Sequence, residues 1–167
     1  VQKILWKQDT HARGIHLYNY QKKHLKYGVD TVDTINKIFW DTDRISMITN
    51  HINAEIHSHY MLQIFIGIED MVDIKINNKS INCKFIVIDR NVPHAFSTNN
   101  KIYYSSLIDP TSVYAQKLMD LIGDKKYFVC NSVNDLRLLQ QGKNLLYHSN
   151  KEQYKKFEQL FRDIYQC

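Results

Sequence analysis

The sequence predicts a mainly β domain: a barrel of short antiparallel strands followed by C-terminal α-helices. Three observations predict it. Val72, Ile74 and Ile76 alternate with Asp73 and Lys75, and the alternation resumes at Ile81, Cys83, Phe85 and Val87. Clusters of asparagine, aspartate and serine cut residues 35–108 into short segments, as the turns of a barrel or sandwich would. Beyond residue 110 the apolar spacing changes from two to three or four, the period of a helix.

Taken in order, residues 1–30 fit neither period: Ile15, Leu17, Tyr18 and Leu25 allow a strand over 15–20 or a helix through Tyr27. They hold too few large apolar side chains for a core of their own, so they are expected to pack as an arm on the barrel or the helices. The barrel is expected over residues 31–110. Its first strand spans 35–40, and Asp41-Thr42-Asp43 turns the chain into a second at 45–50. Residues 57–66 read as one long, largely buried strand, closed by a turn from Gly67 to Asp70. Asn77-Asn78 is a two-residue hairpin turn, because asparagine tolerates positive φ. The return strand runs through Ile81, Cys83, Phe85 and Val87 to the break at Asn91-Val92-Pro93. Residues 94–98 and 101–107 are expected as a strand pair around Asn99-Asn100.

Residues 111–167 read as helical. Asp109-Pro110-Thr111 opens a helix that Gly123 ends, Asn134-Asp135 caps a second over 136–147, and Ser149-Asn150 caps a third over 153–165. Tyr154, Phe157, Leu160, Phe161 and Ile164 form one stripe on the last. Five large residues exceed what one shallow contact buries, which predicts a homodimer through this helix.

The chain has 167 residues, 44% hydrophobic and 23% charged, enough for one globular domain. Its net charge is +5, with the basic excess at the two ends. No dense basic cluster with stacking aromatics marks a nucleic-acid surface. No apolar run approaches the roughly 18 residues of a membrane span, and Val1 to Lys7 is too short, in surroundings too polar, to read as a signal peptide. Three cysteines, none at CxxC spacing, read as reduced thiols in a cytoplasmic protein. Val1 in place of Met, and Cys167 with no capping signal after it, read as cut ends of a longer protein.

The chemistry gathers in His57-Ser58-His59-Tyr60-Met61-Leu62-Gln63. On a strand, His57, His59, Met61, Gln63 and Phe65 share one face, and Tyr60, Leu62, Ile64 and Ile66 the other. Two imidazoles and a carboxamide facing a lumen make a ligand or metal site, with His94 supplying a further group from another strand. Zn²⁺, Fe²⁺, Ni²⁺ and Mn²⁺ are all compatible with these donors. Tyr103, on the strand over 101–107, is a further candidate for ligand contact. There is no nucleophile elbow, P-loop or dinucleotide fingerprint.

These residues resemble the cupin motifs. His57-x-His59 with Gln63 is similar to the first, His-x-His followed by Glu or Gln, and Val92-Pro93-His94 is similar to the second. The match covers about residues 45–98 and implies a jelly-roll barrel. The leading glycine of each motif is absent, and Gln63 stands where Glu is usual. The run Ile88-Asp89-Arg90-Asn91-Val92-Pro93-His94, followed by helices, resembles the sensor domains of AraC-type transcription regulators. That resemblance implies a small-molecule effector bound near His57, His59, Gln63, His94 and Tyr103. It implies a homodimer through the C-terminal helices, and DNA contacted only by an absent C-terminal helix-turn-helix domain. On this reading the chain is not an enzyme and needs no cofactor, although His57, His59, Gln63 and His94 could hold a divalent metal. The rival reading is a metal-dependent cupin dioxygenase or isomerase on the same four residues.

Overall fold

Asparagine turns set the strand plan. The structure, a computed structural model, describes residues 34–131, 136–148 and 150–165. The expected arm at residues 1–30 and the Asn134-Asp135 cap lie outside the described residues. Strand β1 (Asn36–Trp40) pairs antiparallel with β2 (Arg44–Thr49) across the Asp41–Asp43 turn. There follow β3 (Asn53–His57), β4 (Leu62–Gly67), β5 (Val72–Ile76), β6 (Lys79–Cys83), β7 (Phe85–Ile88), β8 (His94–Ser97) and β9 (Tyr103–Ile108). Asn77 and Asn78 take φ of 48° and 64°, which closes the β5–β6 hairpin in the sense that matches strand twist.

The strands form two antiparallel sheets, β1-β2-β9-β4-β7-β10 and β3-β8-β5-β6, where β10 is Tyr127–Cys130. From β2 to β9 the chain passes back and forth between the sheets as in a jelly roll, with β5 and β6 a hairpin inside one of them. The expected fold class, a mainly β cupin-like barrel followed by C-terminal helices, is therefore the one found. The helices are α1 (Val113–Ile122), α2 (Leu136–His148) and α3 (Lys151–Tyr165). Ser112 caps α1 through Ala115 N–H, Gly123 ends it at φ 59°, and the Asn150 side chain accepts from Gln153 N–H to cap α3.

Four expectations are corrected. The single strand over 57–66 is two: β3 ends at His57, and β4 starts at Leu62 in the other sheet. The return strand over 81–87 is likewise divided, with the chain crossing between sheets at Lys84. Residues 94–98 and 101–107 do not pair: β8 lies between β3 and β5, and β9 between β2 and β4. Finally, residues 111–167 are not all helical, since β10 pairs with β7 at the sheet edge.

Alternation divides the core in two. Leu62, Ile64 and Ile66 of β4 face outward and pack, with Ile48, Phe85, Val87 and Tyr104, against the helices. Phe65 of the same strand faces the lumen with Val72, Ile74, Ile76, Ile86, Ile88 and Tyr103. The helical stripe covers the outer face: Tyr154, Phe157 and Phe161 are fully buried there, and Leu160 and Ile164 pack beside them. Tyr60, expected on that face, is exposed instead, because the chain is leaving one sheet for the other at that point.

Candidate metal and ligand site in the barrel

His57, the last residue of β3, lies directly opposite His94, the first of β8. A register shift between Ala54 and His57 precedes the pair. Such a bulge re-aims the side chain that follows it. His59 sits in the connection between the sheets, and its carbonyl accepts from Asn91 N–H at 2.8 Å. Asn91, at φ 59°, leads into Val92-Pro93-His94, so this one bond joins the two segments that carry the imidazoles. Gln63 enters from β4 in the opposite sheet, in register with Ile88 and Leu107. The four residues expected to converge do so, with His94 on another strand as expected, but His57, His59 and Gln63 come from β3, the connection and β4 rather than from one strand face.

The imidazole centroids lie 4.5 Å (His57–His94), 5.2 Å (His59–His94) and 5.7 Å (His57–His59) apart. One ligating atom from each histidine falls within 4.8 Å of the others. His94 and Gln63 are buried; His57 and His59 are half-buried. Each ring is held at Nδ1 by a backbone carbonyl: His57 by Glu55 at 2.8 Å, His59 by Met61 at 2.9 Å, and His94 by Val92 at 2.8 Å. A carbonyl cannot donate, so each Nδ1 carries a proton, and a ring with one proton there has its lone pair on Nε2. Metal-binding histidines are commonly oriented by this same arrangement. Burial pushes the His94 pKa down to about 4, with the neighbouring His57 and His59 adding to the shift and the Val92 bond opposing it. That ring is therefore neutral near pH 7.

Gln63 Oε1 lies 2.9 Å from His59 Nε2 and 2.8 Å from His94 Nε2. With the protons on Nδ1, three acceptors face one another. Two arrangements satisfy them. Either a cation sits among them, or the amide is turned over so that its NH₂ donates to both rings and Ser105 donates to Oε1. As placed, the amide donates to Ser105 Oγ at 3.2 Å. Ser105 was missed in the sequence, although its alternation with Tyr104 and Ser106 on β9 puts it on the lumen face. Two imidazole nitrogens on one ion at roughly 2.0–2.1 Å lie no more than about 4.2 Å apart, and the ligating atoms here all lie within 4.8 Å of one another.

Tyr103 lies elsewhere. It is four residues along β9 from Leu107, the partner of Gln63, or roughly 13 Å at strand rise. Its hydroxyl accepts from Asp73 N–H at 3.0 Å, and the side chain is buried in the lumen core. Two surface clefts also lie away from the histidines. One of about 380 Å³ lies beside Arg44, Tyr114 and Arg162, and one of about 580 Å³ beside Ile76 and Lys126–Val129. Neither gathers the imidazole nitrogens.

No family profile and no curated protein matches the chain. Solved structures do. A conserved Streptococcus pyogenes protein of unknown function aligns at 12% identity and TM-score 0.42, over 54% of this chain and 92% of its own. An RmlC-like cupin from Shewanella frigidimarina aligns at 10% identity and TM-score 0.39, over 56% and 96%. A candidate mannose-6-phosphate isomerase from Ralstonia eutropha aligns at 9% identity and TM-score 0.38, over 53% and 99%. The likeness extends to the β architecture and no further. The expectation that the chain is not an enzyme is corrected, because His57, His59 and His94 gather ligating nitrogens of the kind that hold a metal ion. Among the described residues no helix is long and apolar enough to cross a membrane.

Proposed function

We propose that the barrel is a small-molecule site centred on a divalent transition metal. His57, His59 and His94 hold the ion through Nε2, and Gln63 through Oε1. The observation that carries this reading is the shared tautomer: all three Nδ1 groups donate to backbone carbonyls, which leaves the Nε2 lone pairs available to a cation. Imidazole and amide oxygen are N/O donors suited to zinc, iron, nickel or manganese. Four protein donors leave room for a fifth or sixth ligand on the half-exposed side of His57 and His59. A bound ion there supplies Lewis-acid polarisation of that ligand. The chain's own residues orient the rings and, through Phe65 and Phe96, keep the inner side apolar.

The biological setting we propose is the sensing half of an AraC-type regulator, with a small-molecule effector in the barrel, a homodimer, and DNA bound through a further C-terminal domain. It is supported by the motif resemblance over residues 45–98 and by the helices that follow the barrel. The open side of the ring equally favours a second reading, a metal-dependent isomerase or dioxygenase.

Metal analysis after purification without chelator tests the site. The expected result is one ion per chain, lost in His59→Ala and His94→Ala while each variant keeps its β-rich circular dichroism. A wild-type chain that neither retains nor takes up zinc, nickel, iron or cobalt would overturn the proposal and leave the turned-over amide as the resting state.

A further inference from the structure

We infer that the metallated ring takes a carboxylate as its exogenous ligand; this rests on the metal reading above. The argument is one of charge. Every protein donor in the ring is neutral: three imidazoles and, at Gln63, an amide where a carboxylate would have cancelled one unit of charge. Beneath the ring the lumen is lined by Phe65, Ile88 and Val92, with no ionised group among them. Gln63 turns its other amide atom to Ser105, an uncharged hydroxyl. The ring partners are backbone carbonyls at each Nδ1 and the Gln63 amide at the Nε2 of His59 and His94. These four donors leave the charge of a divalent ion uncancelled in a partly desolvated place, and such a charge is costly unless paired. Water can ionise to supply one negative charge. A carboxylate brings that charge ready-made, and it fits the position left on the half-exposed side of His57 and His59. Ligand exchange is then a simple substitution: the metal–water bond breaks, a metal–oxygen bond to the carboxylate forms, and nothing is oxidised or reduced.

The experiment uses cobalt(II) as the ion, read by its visible d–d absorption, with acetate and acetamide as probes of equal size and different charge. In the wild-type chain acetate shifts the spectrum and saturates at a concentration at least about tenfold below that of acetamide, as attraction of an anion to a dication in a medium of intermediate dielectric requires. In Gln63→Glu the protein supplies the charge itself, so cobalt binds more tightly and the preference for acetate over acetamide falls toward unity. If cobalt gives no protein-bound spectrum in the wild type, the metal reading fails and this inference with it. If cobalt binds but acetate and acetamide are equivalent, the metal reading stands and the carboxylate inference is refuted. A Gln63→Glu chain that binds cobalt and keeps the full wild-type acetate preference also refutes it, because the charge at residue 63 would then not govern ligand choice.

Discussion

Cys83 closes β6 on the lumen side with no exposed surface. Burial, aided by the negative charge of Asp73, pushes its thiol up to about 11, from a usual value near 9. The thiolate is the reactive form, so a raised value and a closed environment both protect it. The sign follows from linkage: the folded state resists deprotonation, so this contribution to stability is complete below about pH 9 and is lost as pH rises through about 11. Iodoacetamide at pH 8, followed by peptide mass spectrometry, should leave Cys83 unmodified in the folded chain and label it fully in urea. Cys130, on the partly exposed edge strand β10, provides the comparison. Labelling of Cys83 in the native chain at the rate of Cys130 would show that the lumen opens readily. The residues of the ring follow a related logic, since the separation of their proton-bearing and bare nitrogens comes entirely from main-chain carbonyls and needs no acidic side chain.

At the scale of elements, α3 is fastened to the six-stranded sheet by a buried ionic contact as well as by its apolar stripe. Glu158 accepts from Arg44 Nη1 at 2.7 Å and from the Tyr104 hydroxyl, and both charged residues are almost wholly buried. Arg44 is also held by Asp43, at 2.8 Å and 3.0 Å, and lies 4.1 Å over the Tyr114 ring. Burial raises the Glu158 pKa, and the Arg44 charge opposes that rise. Glu158→Ala leaves Arg44 with Asp43 but takes a partner from the buried guanidinium and from the Tyr104 hydroxyl, so it should cost about 1–3 kcal/mol, read as a fall in the urea midpoint. Arg44→Met with Glu158→Leu should cost less than the sum of the two single changes. A loss under about 1 kcal/mol for Glu158→Ala would mean that the pair is solvated rather than buried. Neither Arg44 nor Glu158 stood out in the sequence, because an ionic contact between residues 114 apart leaves no local pattern. The local signals were legible. Asn77, Asn78, Asn91, Asn99 and Asn100 all take positive φ, and each had marked a turn or break. The sheet to which each strand belongs was not legible. At Lys84 the apolar side chains at Cys83, Phe85 and Val87 keep a spacing of two, although Cys83 faces the lumen and Phe85 and Val87 the helices; between His57 and Leu62 the change of sheet likewise leaves no mark on the spacing. Two strands therefore read as one, even though the convergence of His57, His59, Gln63 and His94 came out correctly. Strand β3 escaped notice because polar side chains dominate it, and β10 because Lys125-Lys126 precedes it. Tyr103 drew attention by its size, and Ser105, two residues on, did not.

At the scale of the whole molecule, the apolar stripe of α3 is spent within the chain. Tyr154 stacks on Phe39 at 4.9 Å, Phe161 meets Phe85 edge-on at 5.4 Å, and Phe157 lies 4.7 Å from Tyr104. Charged substitutions at Phe161 would therefore unfold the domain rather than separate subunits. The large apolar side chains left exposed include Ile38 and Trp40 on edge strand β1 and Tyr147 on α2. The homodimer of our proposal would have to use such a surface. Equilibrium sedimentation at micromolar concentration should give twice the chain mass for the wild type and a single chain mass for Trp40→Glu, with far-UV circular dichroism unchanged. A wild-type monomer would remove the dimer from the proposal, and a Trp40→Glu dimer would move the contact away from β1.

Strand β4 presents Gln63 and Phe65 to the lumen and Leu62, Ile64 and Ile66 to the helices. The rise between neighbouring residues is about 3.4 Å, and a short buried strand is too stiff to move one side chain's backbone without its neighbours. The same few backbone bonds of β4 thus carry both the Gln63 side of the histidine cluster and the seat of the helices, with no hinge or loop between them.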